Sequence, residues 1–393
     1  MRCEKHAMIS STLVLCLTLS FLGLGLSANA QEGMFITFDA PGAGTAAFEG
    51  TLPFSINPAG EITGYYVDAG GVYHGFLRAA DGTITAIDPP GSVFTQAWNV
   101  NEAGAITGNY CDKTACHGFL QAANGSVTSF DIPDAFFGMS AFGATPAGAV
   151  MGNYADANFV FHGFLRSSKG TLTTIDVSEG ASFVEGMPLG INPQGTVAGC
   201  YWDASFVGHG FVRAKNGAVT RFDVPNSTNF RCLSDFGFFF FPSPIGGINP
   251  AESITGAYFE PISGNGFGGN VRGFLRDKGG NFTTFDAVPS PSSPCCTWTF
   301  GIAINPGGEI TGWDNDYANV NHGFVRTKDG TVTILDAPGA GTGFNGSQGT
   351  LARSINPGGL VTGFYVDANT VYHGFLWIPP SRLRAACSAG SMV

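Results

Sequence analysis

The sequence predicts an all-β fold, a seven-bladed β-propeller of four-stranded blades, and three observations carry that prediction. The first is composition: of 393 residues 58 are Gly and 35 are Phe, while charged residues make up only 12%. Helices tolerate glycine badly and want charge on their wet faces, whereas short strands joined by tight turns accept this usage. The second is a repeat, whose shared glycine falls at 75, 118, 163, 210, 273, 323 and 374, with spacings of 43, 45, 47, 63, 50 and 51. Periods of this length, with short apolar runs between turn residues, belong to propellers and solenoids. The third is that the repeat is permuted at the chain ends.

The clearest copy shows each element in order. Ile56-Asn57-Pro58-Ala59-Gly60 ends a first strand in a turn, and Ile62-Thr63-Gly64-Tyr65-Tyr66-Val67-Asp68 alternates as a second. His74-Gly75-Phe76-Leu77-Arg78 is the third strand, and Thr83-Ile84-Thr85 with Ile87-Asp88, entered through Gly82, is the fourth. The fourth-strand pattern also stands alone at the start as Phe35-Ile36-Thr37-Phe38-Asp39, and the last copy stops after its third strand at His373-Gly374-Phe375-Leu376-Trp377. An N-terminal strand joining the last blade closes the ring and leaves no open sheet edge, where a solenoid would carry capping units.

Residues 1–30 read as a secretory signal. Arg2 and Lys5 precede an apolar stretch at 8–26, and Ala28-Asn29-Ala30 form a small-x-small site before Gln31. The expected layout is signal peptide 1–30, propeller 31–378 and C-terminal tail 379–393, in a secreted or otherwise extracytoplasmic protein whose mature chain has no membrane span. The formal net charge of −11, without a basic run, argues against nucleic acid as a partner.

The repeat resembles that of the extracellular HAF-repeat proteins, named for a His-Ala-Phe tripeptide. The resemblance covers residues 34–377, with glycine in the middle position, as in His74-Gly75-Phe76 and His117-Gly118-Phe119. It implies secretion and a repeat fold, and no activity or ligand.

Polar residues that recur in nearly every copy are expected to hold blades together. His74, His117, His162, His209, His322 and His373 share one position, and Asp68, Asp112, Asp156, Asp203, Asp316 and Asp367 end the second strand with four or five residues between them and the histidine. An Asp–His hydrogen bond across that hairpin would satisfy both groups. A second recurrent carboxylate, at Asp39, Asp88, Asp131, Asp176, Asp223, Asp286 and Asp336, reads as a turn cap. The recurrent phenylalanine of the tripeptide is expected to pack between blades.

Departures from the repeat mark the candidate ligand surface. Blade five carries Glu260 for aspartate, Arg272 for histidine and an eleven-residue loop, 261–271. The linker before it, 225–245, holds Phe239 in a phenylalanine run, and the linker after it, 287–300, holds Trp298. Blade six has Trp313 followed by Asp314, where every other blade has tyrosine. Blade-to-blade connections and second-to-third strand loops share one face of a propeller, so these insertions should meet over blades five and six. The ligand-binding candidates are Glu260, Arg272, Trp298, Asp314, Trp313 and Phe239. Exposed aromatics with a few charges suit carbohydrate or protein partners.

Other chemistry is not indicated. A G-x-G-x-x-G match at 264–269 lacks strand–helix context, and G-x-S-x-G, H-E-x-x-H, P-loop and C-x-x-C patterns do not occur. No catalytic residue, cofactor or metal is therefore expected. In an exported chain Cys111 and Cys116 are expected to cross-link their own hairpin, and Cys232 to join Cys295 or Cys296. The sequence thus favours a secreted, non-enzymatic binding or surface-interaction module. The alternative is an extracellular polysaccharide lyase or hydrolase with its site over blades five and six.

Overall fold

Apolar runs between turn signals become strands, and the turns set their order. The computed structural model describes residues 33–178, 183–225, 227, 245–261, 269–288, 298–316, 318–343 and 348–390. Among these the regular structure is strand apart from one helix, Pro380–Gly390, in the stretch expected as a tail. Each repeat is an antiparallel meander. In the first, Gly50–Ile56 pairs with Ile62–Val67, then Tyr73–Arg78, then Ile84–Ile87. Three such units are separate four-stranded sheets. Four more are welded into a sixteen-stranded sheet by single parallel bridges at Val271–Trp298, Asn321–Gly349 and Gly50–Tyr372. We number the units one to seven in chain order. The fourth strand of unit seven is the N-terminal Met34–Phe38, which runs antiparallel to Tyr372–Ile378.

Burial falls from the first strand of a unit to the fourth. Gly50–Ile56 is buried along nearly its whole length, whereas Val127–Phe130 is exposed except at Phe130. The core lies between units, as expected for the tripeptide phenylalanines, all of which are fully buried. Phe76, for example, packs with Ile56 and Ile62 of its own unit and Leu376 of unit seven. Burying one such ring contributes about 1.5–3 kcal/mol. The glycine before it is a packing requirement: a Cβ on Gly210 would lie 2.4 Å from the ring of Phe222, its cross-strand partner.

Glycine in the second strand has a different consequence. The register passes from Pro53 opposite Gly64 to Ser55 opposite Thr63 and skips Phe54, a β-bulge. A Cβ on Gly64 would lie 2.1 Å from the Leu52 carbonyl oxygen, so glycine permits the kink. The same slip occurs in the first strands of the other six units.

The turns after the first strands are tied to one another. Asn57 Nδ2 donates to the Asn101 carbonyl (3.4 Å), and Asn101 to that of Thr145 (2.9 Å). Asn192 donates to Asn249 (3.3 Å), Asn249 to Asn305 (3.2 Å), Asn305 to Asn356 (3.1 Å), and Asn356 to Asn57 (3.1 Å). Unit three has Thr145 at the asparagine position, where its hydroxyl accepts the Ala149 N–H and so keeps only the turn half of the asparagine's role.

Candidate functional site

The recurrent histidines sit between two carboxylates. His74 Nδ1 lies 2.9 Å from Asp88, and its Nε2 lies 3.5 Å from Asp68. The other five histidines repeat this, with Nδ1 contacts of 2.6–3.1 Å and Nε2 contacts of 3.4–3.8 Å. The expected cross-hairpin pair is present, but the roles of the two carboxylates differ from the reading of the sequence. Asp88 and its equivalents are the closer histidine partners rather than turn caps. Asp68 is the turn cap, its Oδ1 accepting the N–H groups of Gly70 and Val72 at 2.8 Å. Those backbone donors, with His74 adding to them, hold its pKa below the usual range. A tyrosine stacks on the imidazole, as Tyr66 does on His74 at 5.0 Å.

Arg272 reproduces this arrangement with a different cation. Its Nε and Nη2 donate to Asp286 at 3.0 and 2.8 Å, and its Nη1 donates to Glu260 at 3.2 Å. The two substitutions are therefore partners, and both charges are engaged within unit five. Asp314 is fully buried. It accepts the Thr299 hydroxyl through one oxygen, while the other has no partner among the described residues. Burial pushes its pKa up to about 6. Its strand neighbour across the hairpin is His322, which Asp336, with Asp316 on its other nitrogen, holds up to about 9. Trp313 is buried against Phe300, with ring centroids 4.3 Å apart, whereas Trp298 is 37% exposed.

The shared-face geometry behind the sequence reading is visible in unit three, where Phe137 of the entering connection stacks on Phe159 of the second-to-third strand loop. Phe239, Cys232 and Cys295 lie outside the described residues, as does most of each insertion around unit five. Cys111 and Cys116 form a disulfide within their hairpin. Cys200, not singled out from the sequence, is also disulfide-bonded. Among the described residues no cluster of His, Cys, Asp and Glu is arranged to hold a metal ion.

The bulges build a site that the sequence reading missed. A cavity of about 370 Å³ is lined by the first strands and following turns of all seven units. Bulges re-aim side chains, and here the skipped residues Phe54, Trp98, Phe142, Leu189, Ile302 and Arg353 contribute to the wall. Phe54 meets Trp98 edge-on at 4.8 Å, and Trp98 meets Phe142 at 5.6 Å, so three units present a continuous aromatic surface. Trp98 Nε1 is fixed by donating to Asn109 Oδ1 at 2.7 Å. The guanidinium of Arg353 lies over Phe54 at 5.1 Å and Phe364 at 5.4 Å. A glycine inside a strand pattern is the signal that could have located this wall, since it marks a bulge.

No family model matches the chain, and no curated protein does. Solved structures do match in fold. The chain is similar to a virginiamycin B lyase from Staphylococcus aureus at a TM-score of 0.54 and 12% identity, covering 88% of this chain and 100% of that one. It is similar to a streptogramin B lyase at a TM-score of 0.52 and 14% identity, covering 87% and 97%. Likeness at such identities concerns architecture alone, and by that measure this chain is an all-β protein of the β-propeller type.

Proposed function

We propose that this chain is a secreted seven-bladed propeller acting as a non-enzymatic binding module, with its ligand held in the cavity between the first strands. One observation carries the reading. The bulge position varies from unit to unit, from Phe54 and Trp98 to Leu189 and Arg353, and it lines the cavity together with the recurrent turns. The residues that do recur are consumed in holding strands and units together. A concave wall that joins apolar and aromatic surface to placed polar groups is a usual form of a small-ligand site. The ligand class expected is a small molecule or the end of an extracellular carbohydrate or protein chain.

A closed ring is supported by the Asn356–Asn57 hydrogen bond, the Gly50–Tyr372 bridge and the pairing of Met34–Phe38 with the last unit. Secretion rests on the signal-like pattern at 1–30. The lyase or hydrolase alternative has less support, because Arg272 is engaged by Glu260 and Asp286, and Asp314 is sealed from solvent.

Isothermal titration of the purified mature chain against extracellular oligosaccharides, peptides and small aromatic compounds tests the reading. Saturable binding without turnover is expected, weakened about tenfold or more by Trp98→Ala or Phe142→Ala. A ligand bound equally well by both variants, or converted to product, would sink it.

A further inference from the structure

We infer that the cavity ligand carries an anionic group, a carboxylate or its equivalent, and that Arg353 is the residue that selects it. The inference deepens the binding role proposed above and rests on it. Arg353 is the one cation among the lining residues, and the one lining carboxylate, Glu102, is exposed in its turn. No carboxylate among the described residues pairs with Arg353, and its Nε, like those of Arg78 and Arg276, is buried without a hydrogen-bond partner. A bound oxyanion at the cavity wall would give the guanidinium the charged acceptor that the protein does not supply.

This cation differs from the other arginines of the fold in lining the cavity and in standing outside the repeat. Arg78, Arg166, Arg276 and Arg326 follow the tripeptide and lie over Phe38, Phe130, Phe222 and Phe285, repeat after repeat. Arg353 occurs once, at a position that is aromatic or aliphatic in five other units and Gly246 in the sixth.

The wall around it is two-sided. The residue after the bulge is Ser354 in unit seven, Ser55 in unit one and Asn99 in unit two, but glycine in units three to five. Asn99 Nδ2 donates to Ser55 Oγ at 3.2 Å, and Ser354 Oγ accepts the Ile56 N–H at 3.3 Å. Polar atoms therefore gather beside Arg353, with Leu189 and Ile302 supplied by other units. A flat apolar body ending in an oxyanion matches both sides.

The probes are 2-naphthoate, neutral 2-naphthol and cationic 2-naphthylmethylamine, titrated at pH 7 into the mature chain and its Arg353→Met, Arg353→Lys and Trp98→Ala variants. The naphthoate is expected to bind best. Arg353→Met should weaken it about 10- to 100-fold while changing naphthol less than about threefold, since a charge-assisted bond is worth about 1.5–3 kcal/mol. Arg353→Lys should retain part of the preference, and added salt should weaken naphthoate selectively.

Equal binding of naphthoate and naphthol, both lost in Trp98→Ala, overturns the anion inference and leaves the cavity reading standing. Equal weakening of both probes by Arg353→Met, with a lowered melting temperature, also overturns it, because the arginine then only braces Phe54 and Phe364. Binding unchanged in every variant places the probes elsewhere and removes both readings.

Discussion

At the scale of single residues, Asp314 is the position where the repeat and the physics disagree most. Five other units stack a tyrosine on histidine, and unit six buries a carboxylate instead. Its pKa is raised from 3.8 to about 6, so the folded state holds a proton that the unfolded chain has released. Stability from this group is therefore complete below about pH 4 and is lost as pH rises through 6, by on the order of 2–3 kcal/mol. His322, raised from 6.5 to about 9, extends the decline: its contribution is complete below pH 6.5 and is lost as pH rises through 9. Urea denaturation at pH 4 to 7.5 should show Asp314→Asn flattening the lower part of this slope and raising stability at neutral pH. An unchanged slope would mean that Asp314 is not the group titrating. Phe206 is a second local conflict, 66% exposed with φ at +61°, where unit six has Asn319 at the same angle. Asparagine tolerates the left-handed region and phenylalanine does not, so Phe206→Asn should stabilise by about 0.5–1 kcal/mol in thermal or urea melts.

At the scale of elements, the bridge across each hairpin is a unit of design, and unit five tests it. Removing the cation with Arg272→Met leaves Glu260 and Asp286 facing each other and should cost about 1–2 kcal/mol, allowing for its partial exposure. Arg272→His should recover most of the loss below pH 6, where imidazole is charged, and less at pH 8. If both variants denature like the parent at each pH, the bridge contributes nothing. The strands themselves were legible from alternation and turn residues, because those patterns are local. The bulge was not: it depends on which residue of the partner strand lies opposite, and Gly64 reveals its purpose only when Leu52 is seen 2.1 Å from its missing side chain. The partner exchange between Asp68 and Asp88 was hidden for the same reason, since the fourth strand reaches the histidine through space rather than through the adjoining turn.

At the scale of the whole molecule, the asparagine links couple distant turns and have a gap at Thr145. In the other units the asparagine also accepts the N–H four residues on, as Asn101 does from Ala105 at 2.9 Å. Thr145→Asn can therefore keep the turn and add a bond to the Asn192 carbonyl, a gain of about 0.5–1.5 kcal/mol. Asn356→Ala, which removes one of the ties between units seven and one together with the Asn356 acceptor of the Gly358 and Leu360 N–H groups, should cost about 1–3 kcal/mol by the same denaturation assay. Equal midpoints for all three proteins would show the links to be incidental. By itself the sequence determined the β class, the repeat, its strand order and the permuted ends, because each is written in local periodicity and turn chemistry that recur along the chain. Only the tertiary structure decided that Arg272 is engaged within its own unit, that Asp314 is buried, and that Phe54, Trp98 and Arg353 share one cavity wall. Those facts depend on register and on side chains tens to hundreds of residues apart converging as separate units pack, which a linear pattern does not encode.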